Sequence, residues 1–193
     1  MSGPTVVLAS GSPRRRDLLR EAGLNFTVSP ASAPEIHDPV LGLAGLVMAN
    51  ARAKALEAAA QHPRSIVIGA DTLVWLDGQP LGKPAGAEDA AEMLGRLSGR
   101  VHEVATGVHL LRLEPRVQVE FHEITRVRFR RLGADHIRAY LTRVDVLDKA
   151  GAYALQEHGE MLVESLEGSR SNVVGLPVER TLAALRRFDE PLG

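Results

Sequence analysis

Two unbroken apolar stretches, TVVLAS at residues 5–10 and SIVIGA at 65–70, set the strongest limit on what this chain can fold into. Neither alternates polar with apolar residues, so each reads as a strand covered on both faces. Covering both faces of a sheet takes helices on either side, and that makes the chain α/β. Helical patterns supply the cover. Gly11 breaks the first run, Ser12 stands at a capping position, Pro13 takes the first helical place, and Gly23 stops a helix running to about residue 22. A long helical pattern covers 40–61, another covers 88–97 (closed by Ser98-Gly99), a short one covers 134–142, and an amphipathic one covers 177–188.

The remaining strands give the sheet a mixed character. Residues 25–29 read as a short strand. Residues 72–76 continue the second apolar run into Asp77-Gly78, a strong hairpin signal, and return through Gln79, Pro80 and Leu81. Two long strands, about 101–113 and 117–131, meet at Glu114-Pro115. In the second, Val117, Val119, Phe121, Val127 and Phe129 alternate with Glu120, His122, Arg126, Arg128 and Arg130, the period of a sheet with one wet face. A strand over 151–155 and a last hairpin from 160–164 across Gly168 complete the expectation. The result is a mixed, twisted sheet with flanking helices, in one domain over 1–193 without internal repeats.

Composition narrows the function. With no cysteine, any metal must sit on oxygen or imidazole, and a thiol nucleophile is excluded. A formal net charge of -1 argues against a dedicated nucleic-acid binder, so Arg126, Arg128, Arg130 and Arg131 read as a solvated strand face. The most apolar helix is interrupted by Asn50, Arg52, Lys54 and Glu57, which no membrane span would carry. With no charged leader ahead of an apolar segment, the expected location is cytoplasmic, with no membrane partner.

The residues able to do chemistry fall in separate blocks. In Ser10-Gly11-Ser12-Pro13-Arg14-Arg15-Arg16, arginines crowd the first turn of a helix, where free backbone N–H groups and the dipole favour anions. This is a phosphate site, or else a set of solvated arginines. Neither a Walker A pattern nor G-x-G-x-x-G occurs, so the chain is neither a P-loop enzyme nor a dinucleotide binder. Asp71 ends a buried strand, where open α/β sheets bind ligands. It could activate a water or hold a cation, or simply bond a nearby backbone N–H in a turn. Glu35 on its loop, Lys54 among alanines and Lys83 before Pro84 add further charges. Gln156 ends the Gly/Ala-rich block DKAGAYALQ at 148–156, where a backbone can approach a ligand closely and an amide can read a base edge. Asn172 reads as a strand end or a turn residue, and the histidines lack metal-ligand spacing.

Taken in order, LASGSPRR, the KA of ARAKA, IGADT, LGKP, LSGRVHEVATGV, DKAGAYALQ and NVVGLP resemble the Maf family of nucleoside triphosphate pyrophosphatases, nearly end to end. The resemblance implies two lobes around a deep cleft, similar to inosine triphosphate pyrophosphatases. It also implies hydrolysis of a nucleoside triphosphate to monophosphate and pyrophosphate with a divalent cation, Mg²⁺ or Mn²⁺. Asp71 matches the general base, with Glu35, Lys54 and Lys83 as the charged cleft residues and Glu35 and Asp71 as metal ligands. Ser10, Ser12, Arg14 and Arg15 match the phosphate-facing motif. Arg14, Thr72 and Gln156 match positions tied to base choice, and the SPRR and ADT forms resemble the dTTP/UTP branch. The alternatives are the same reaction on 7-methylguanosine triphosphate or other modified nucleotides, or a non-catalytic, nucleotide-binding regulator of division. Glu157, beside Gln156, departs from the Gln-Gly or Gln-Ala of many relatives. A homodimer is also implied.

Overall fold

The computed structural model describes residues 5–188. In chain order the elements are β1 (Val6–Leu8), α1 (Pro13–Glu21), β2 (Phe26–Val28), α2 (Gly42–Gln61), β3 (Ile66–Leu76), β4 (Gln79–Leu81), α3 (Ala87–Leu97), β5 (Val101–Leu113) and β6 (Arg116–Phe129). They continue with α4 (Ala134–Leu141), β7 (Val163–Glu167), α5 (Arg170–Val174) and α6 (Val178–Leu185). The sheet runs β2-β1-β3-β5-β6-β7, with β4 pairing β3 alone. β1 lies parallel to both neighbours, and the other pairings are antiparallel. The sheet is therefore mixed, as the sequence pattern predicts.

Side chains alternate faces along each strand, and the two apolar runs are buried on both. Val6, Leu8, Ile66 and Ile68 pack toward Leu19 of α1 and Leu185 of α6. Val7 and Val67 pack under Ala55, Ala58 and Ala59 of α2. A separate cluster gathers Val74, Leu76, Leu81, Leu94, Val127, Phe129, Tyr140 and Tyr153 around the far end of β3. These clusters are the cores of two lobes, and β3 runs through both.

Two expectations fail. Residues 151–155 form no strand but a 3-10 turn over Ala150–Ala152, because Gly151 (φ 71°) and Ala152 (φ 59°) take left-handed backbone that an extended chain cannot hold. The last hairpin is absent as well. β7 pairs back onto β6, and Gly168 (φ 124°) turns the chain into α5, which contains Asn172 in a helix rather than at a strand end.

α2 lies unusually close to the sheet. A Cβ on Gly69 would stand 2.3 Å from the Ala51 carbonyl oxygen, and one on Gly107 would stand 2.4 Å from that of Val47. These are backbone atoms that cannot step aside. Gly107→Ala is expected to lower stability by about 1–3 kcal/mol, the usual cost of overpacking, seen as a fall in melting temperature by circular dichroism. An unchanged melting point would mean that α2 can lift freely.

Candidate active site

The cleft originates in an interruption of β3's pairing. β5 covers one edge of β3 from Val67 to Trp75. On the other edge β1 pairs with Ile66, Val67 and Ile68, and β4 with Val74, Trp75 and Leu76. Between them, among the described residues, that edge has no strand partner at Asp71 and Thr72. β1 has already left the sheet to start α1, so its following residues, Ala9 to Arg15, border the same opening. The cleft measures about 500 Å³, a size that accommodates a nucleotide. Its lining includes Ser10, Ser12, Arg14, Arg15, Glu35, Lys54, Asp71, Thr72, Lys83 and Gln156.

Successive residues of β3 serve opposite faces. Asp71, only 6% exposed, turns toward α2, where Lys54 Nζ lies 2.6 Å from its Oδ1. The same ammonium lies 3.5 Å from Glu35, so one cation is shared by two carboxylates. Thr72 turns toward α1 and α5. Its hydroxyl accepts from Arg15 at 2.9 Å and lies 2.9 Å from the Thr106 hydroxyl and 3.2 Å from the Gly175 carbonyl.

The arginines of α1 divide their work. Arg15 is buried and donates through Nε to the Gly175 carbonyl (2.7 Å), through a terminal nitrogen to Ser10 Oγ (3.0 Å), and through the other to Thr72. It bolts α1, β3 and α5 together from the cleft wall. Burial lowers its pKa from the ordinary value, with Asp71 opposing, yet a guanidinium stays charged. Ser10 Oγ accepts from Arg15 and from the Ser12 N–H (3.2 Å), which leaves its own proton for a ligand oxygen. Ser12 occupies the capping position of α1, but its side chain makes no capping bond. Arg14 instead reaches across to Asp148 at 2.8 Å.

Asp148 and Lys149 line the cleft although sequence reasoning singled out only Gln156 from their block. Lys149 is buried and lies 2.8 Å from Asp148 and 3.7 Å from Glu157, and it also bonds the Asp145 carbonyl. Burial pushes the Asp148 carboxyl up, but hydrogen bonds from Lys149 and Arg14 outweigh it and hold it below its ordinary value. The signal that could have found this pair is the adjacency of opposite charges ahead of four small residues and a tyrosine. Lys83 lines the cleft, exposed in the loop after β4, which is anchored by the Gly151 N–H on the Gly82 carbonyl at 2.9 Å. Gln156 stands exposed on the rim.

The cleft wall also carries Tyr153, whose hydroxyl lies 2.9 Å from His102 Nε2. His102 and Phe129 meet edge-on at 4.9 Å, and burial lowers the His102 pKa to about 4.

For a metal, the available donors are oxygens. No cluster of three or more His, Cys, Asp or Glu side chains suited to a metal occurs among the described residues. Glu35 and Asp71, both beside Lys54, are hard oxygen donors of the kind that would hold a divalent cation. No helix among the described residues is long and apolar enough to cross a membrane.

Arg14, Arg15, Lys54, Lys83 and Lys149 outnumber Glu35, Asp71 and Asp148 along the cleft. Fold and site together define an α/β protein whose cleft sets carboxylates among an excess of cations, an arrangement for a polyanionic ligand. The chain belongs to the Maf family: the model for Maf-like proteins matches residues 5–188. A relative from Akkermansia muciniphila is 46% identical over 182 residues, covering 94% of this chain and 95% of its own. One from Myxococcus xanthus is 47% identical over 188 residues, covering 97% and 94%. One from Symbiobacterium thermophilum is 43% identical over 190 residues, covering 97% and 95%. All three are named dTTP/UTP pyrophosphatase.

Two outcomes follow from the wall residues. Arg15→Lys replaces three spread nitrogens with a single one that cannot reach Gly175, Ser10 and Thr72 together, and is expected to cost about 2–3 kcal/mol in urea unfolding. For His102, the folded pKa of about 4 lies below the ordinary value of 6.5, so the unfolded chain binds the extra proton between them. Its contribution is complete above pH 6.5 and is lost as pH falls toward 4, by about 3 kcal/mol in all. His102→Gln should flatten the acid side of the stability profile over that window.

Proposed function

We propose that this chain hydrolyses dTTP and UTP between the α- and β-phosphates, releasing the nucleoside monophosphate and pyrophosphate. The observation that carries the reading is the Asp71 carboxylate, buried in a cation-rich cleft with Lys54 2.6 Å from one oxygen. The names of the three relatives, each aligned over almost its whole length, support the substrates.

The triphosphate lies along the start of α1. There Arg14 and the Ser10 and Ser12 hydroxyls take phosphate oxygens, and Arg15 adds its charge from the wall. Asp71 orients a water and takes its proton as the oxygen attacks the α-phosphorus. The bond from that phosphorus to the bridging oxygen breaks, and pyrophosphate departs with its charge offset by Lys54 and Lys83. Glu35 and Asp71 would hold a divalent cation, Mg²⁺ or Mn²⁺, which supplies charge neutralisation on the phosphate oxygens. At the base, Gln156 offers one donor group and one acceptor to a pyrimidine edge, while Thr72 is tied to Arg15. A cytoplasmic homodimer belongs to the same reading, drawn from the family resemblance.

The test incubates the protein and Mg²⁺ with dTTP, UTP, 7-methylguanosine triphosphate and the common triphosphates, and measures pyrophosphate. Release from dTTP and UTP ahead of the rest is expected. Asp71→Asn should keep its circular dichroism spectrum while turnover falls about 10²-fold or more. Near-normal turnover in that variant refutes the role of Asp71, and the absence of pyrophosphate from every triphosphate refutes the reaction.

A further inference from the structure

α2 presents three polar side chains, about a turn apart, to the loop that carries Glu35. Glu57 accepts from the Ser32 N–H at 3.0 Å and from the Ser32 hydroxyl at 2.9 Å. Lys54 lies 3.5 Å from Glu35 itself. The third is Asn50, which is 3% exposed among the apolar residues that seat α2 on the sheet.

Asn50 uses both ends of its amide. Its Oδ1 accepts from the Ile36 N–H at 2.7 Å, and its Nδ2 donates to the Ile36 carbonyl at 3.2 Å and to Asp71 Oδ2 at 3.3 Å. Exchanging oxygen and nitrogen would oppose donor to donor at the Ile36 N–H, so the network permits one orientation. An amide buried this deeply is costly unless it is bonded, and here it is bonded throughout.

The arrangement links the two carboxylates of the cleft. Asp71 comes from β3 and Glu35 from a loop, and no strand pairing connects them. Lys54 holds one oxygen of Asp71 and Asn50 the other, so the plane of the carboxylate is set entirely from α2. The same Asn50 amide pins the peptide next to Glu35. A leucine here would supply no donor, and an aspartate would set a third negative charge against Asp71.

We propose that Asn50 is a positioning residue that holds Asp71 and the Glu35 loop in fixed register, so that the two carboxylates work as one unit. The proposal rests on the pyrophosphatase reading above.

The test compares wild type, Asn50→Ala, Asp71→Asn and the double variant, using pyrophosphate release from dTTP with Mg²⁺, melting temperature, and binding of a non-hydrolysable α,β-imido analogue of dTTP. Asn50→Ala is expected to lower kcat by about 10- to 100-fold, the scale of a small misplacement of a reacting group, with KM and analogue affinity within about 3-fold of wild type. In the Asp71→Asn background the same change should cost less than about 3-fold, because Asn50 acts through Asp71. Asn50→Ser adds no charge beside Asp71 and is too short to bond it, while keeping a small polar side chain. It should fold and show the same kcat loss, and it decides the matter if the alanine variant does not fold. A kcat near wild type in whichever variant folds, whatever its melting temperature, overturns the proposal. So do equal losses from Asn50→Ala with and without Asp71. Wild type that releases no pyrophosphate from any triphosphate instead overturns the reaction, and that outcome is separate.

Discussion

The carbonyl oxygens of Val47 and Ala51 lie where Cβ atoms on Gly107 and Gly69 would otherwise stand, so α2 rests directly on β5 and β3. Everything on the carboxylate side of the cleft depends on that seating. Gly107 is the strand partner of Asp71, and the residues of α2 that meet Asp71 lie within a turn of this contact. Were side chains interposed, the helix would ride several ångströms higher. Lys54 could still find Asp71 with its long stem, but the short amide of Asn50 could not. Packing of the core and geometry of the charges are one constraint.

β3 then divides the site by parity. Odd residues face α2, whereas Ile66 and Ile68 face α1 and α6, and Thr72 faces α1 and α5. Adjacent Asp71 and Thr72 therefore enter separate networks with one peptide bond between them. On the first side a lysine is shared by two carboxylates. On the second a buried arginine ties α1 to α5 through Ser10, Thr72 and Gly175. The lobes meet along this strand, and rigid wall groups such as Arg15 leave Arg14, Lys83 and Gln156 as the more exposed partners for a ligand.

Much of this is legible in the sequence where local pattern and environment agree. The double-sided apolar runs announce β1 and β3, the Asp77-Gly78 turn announces β4, and strict alternation announces β6. Asp71 stands out because a carboxylate ends an otherwise apolar run. Less was visible where tertiary contacts decide. Asn50 reads only as an interruption of an apolar helix, because its partners are a loop peptide and a residue twenty-one positions on. The turn at Gly151-Ala152 looks like a strand by composition, and only positive φ values reveal it. The inward course of Arg15 and the reach of Arg14 to Asp148 depend on α5 and the 148–156 block, far away in the chain. Motif resemblance brought the ten candidate residues together. It did not distinguish side chains that face the cleft from those that brace it.

The interrupted edge of β3 has one more consequence. Exposed strand edges invite other chains to pair with them, and proteins usually blunt such edges with charge, proline or a covering element. Here the break lies in the interior of a sheet, flanked by β1 on one side and β4 on the other. On that edge positions 69–73 lack a strand partner among the described residues, but β1 and β4 close off both ends, so an incoming strand could not run past the gap in either direction. The fold thereby keeps unladdered backbone beside its ligand while denying intermolecular β-addition, a safeguard against self-association that would be lost if β4 were deleted.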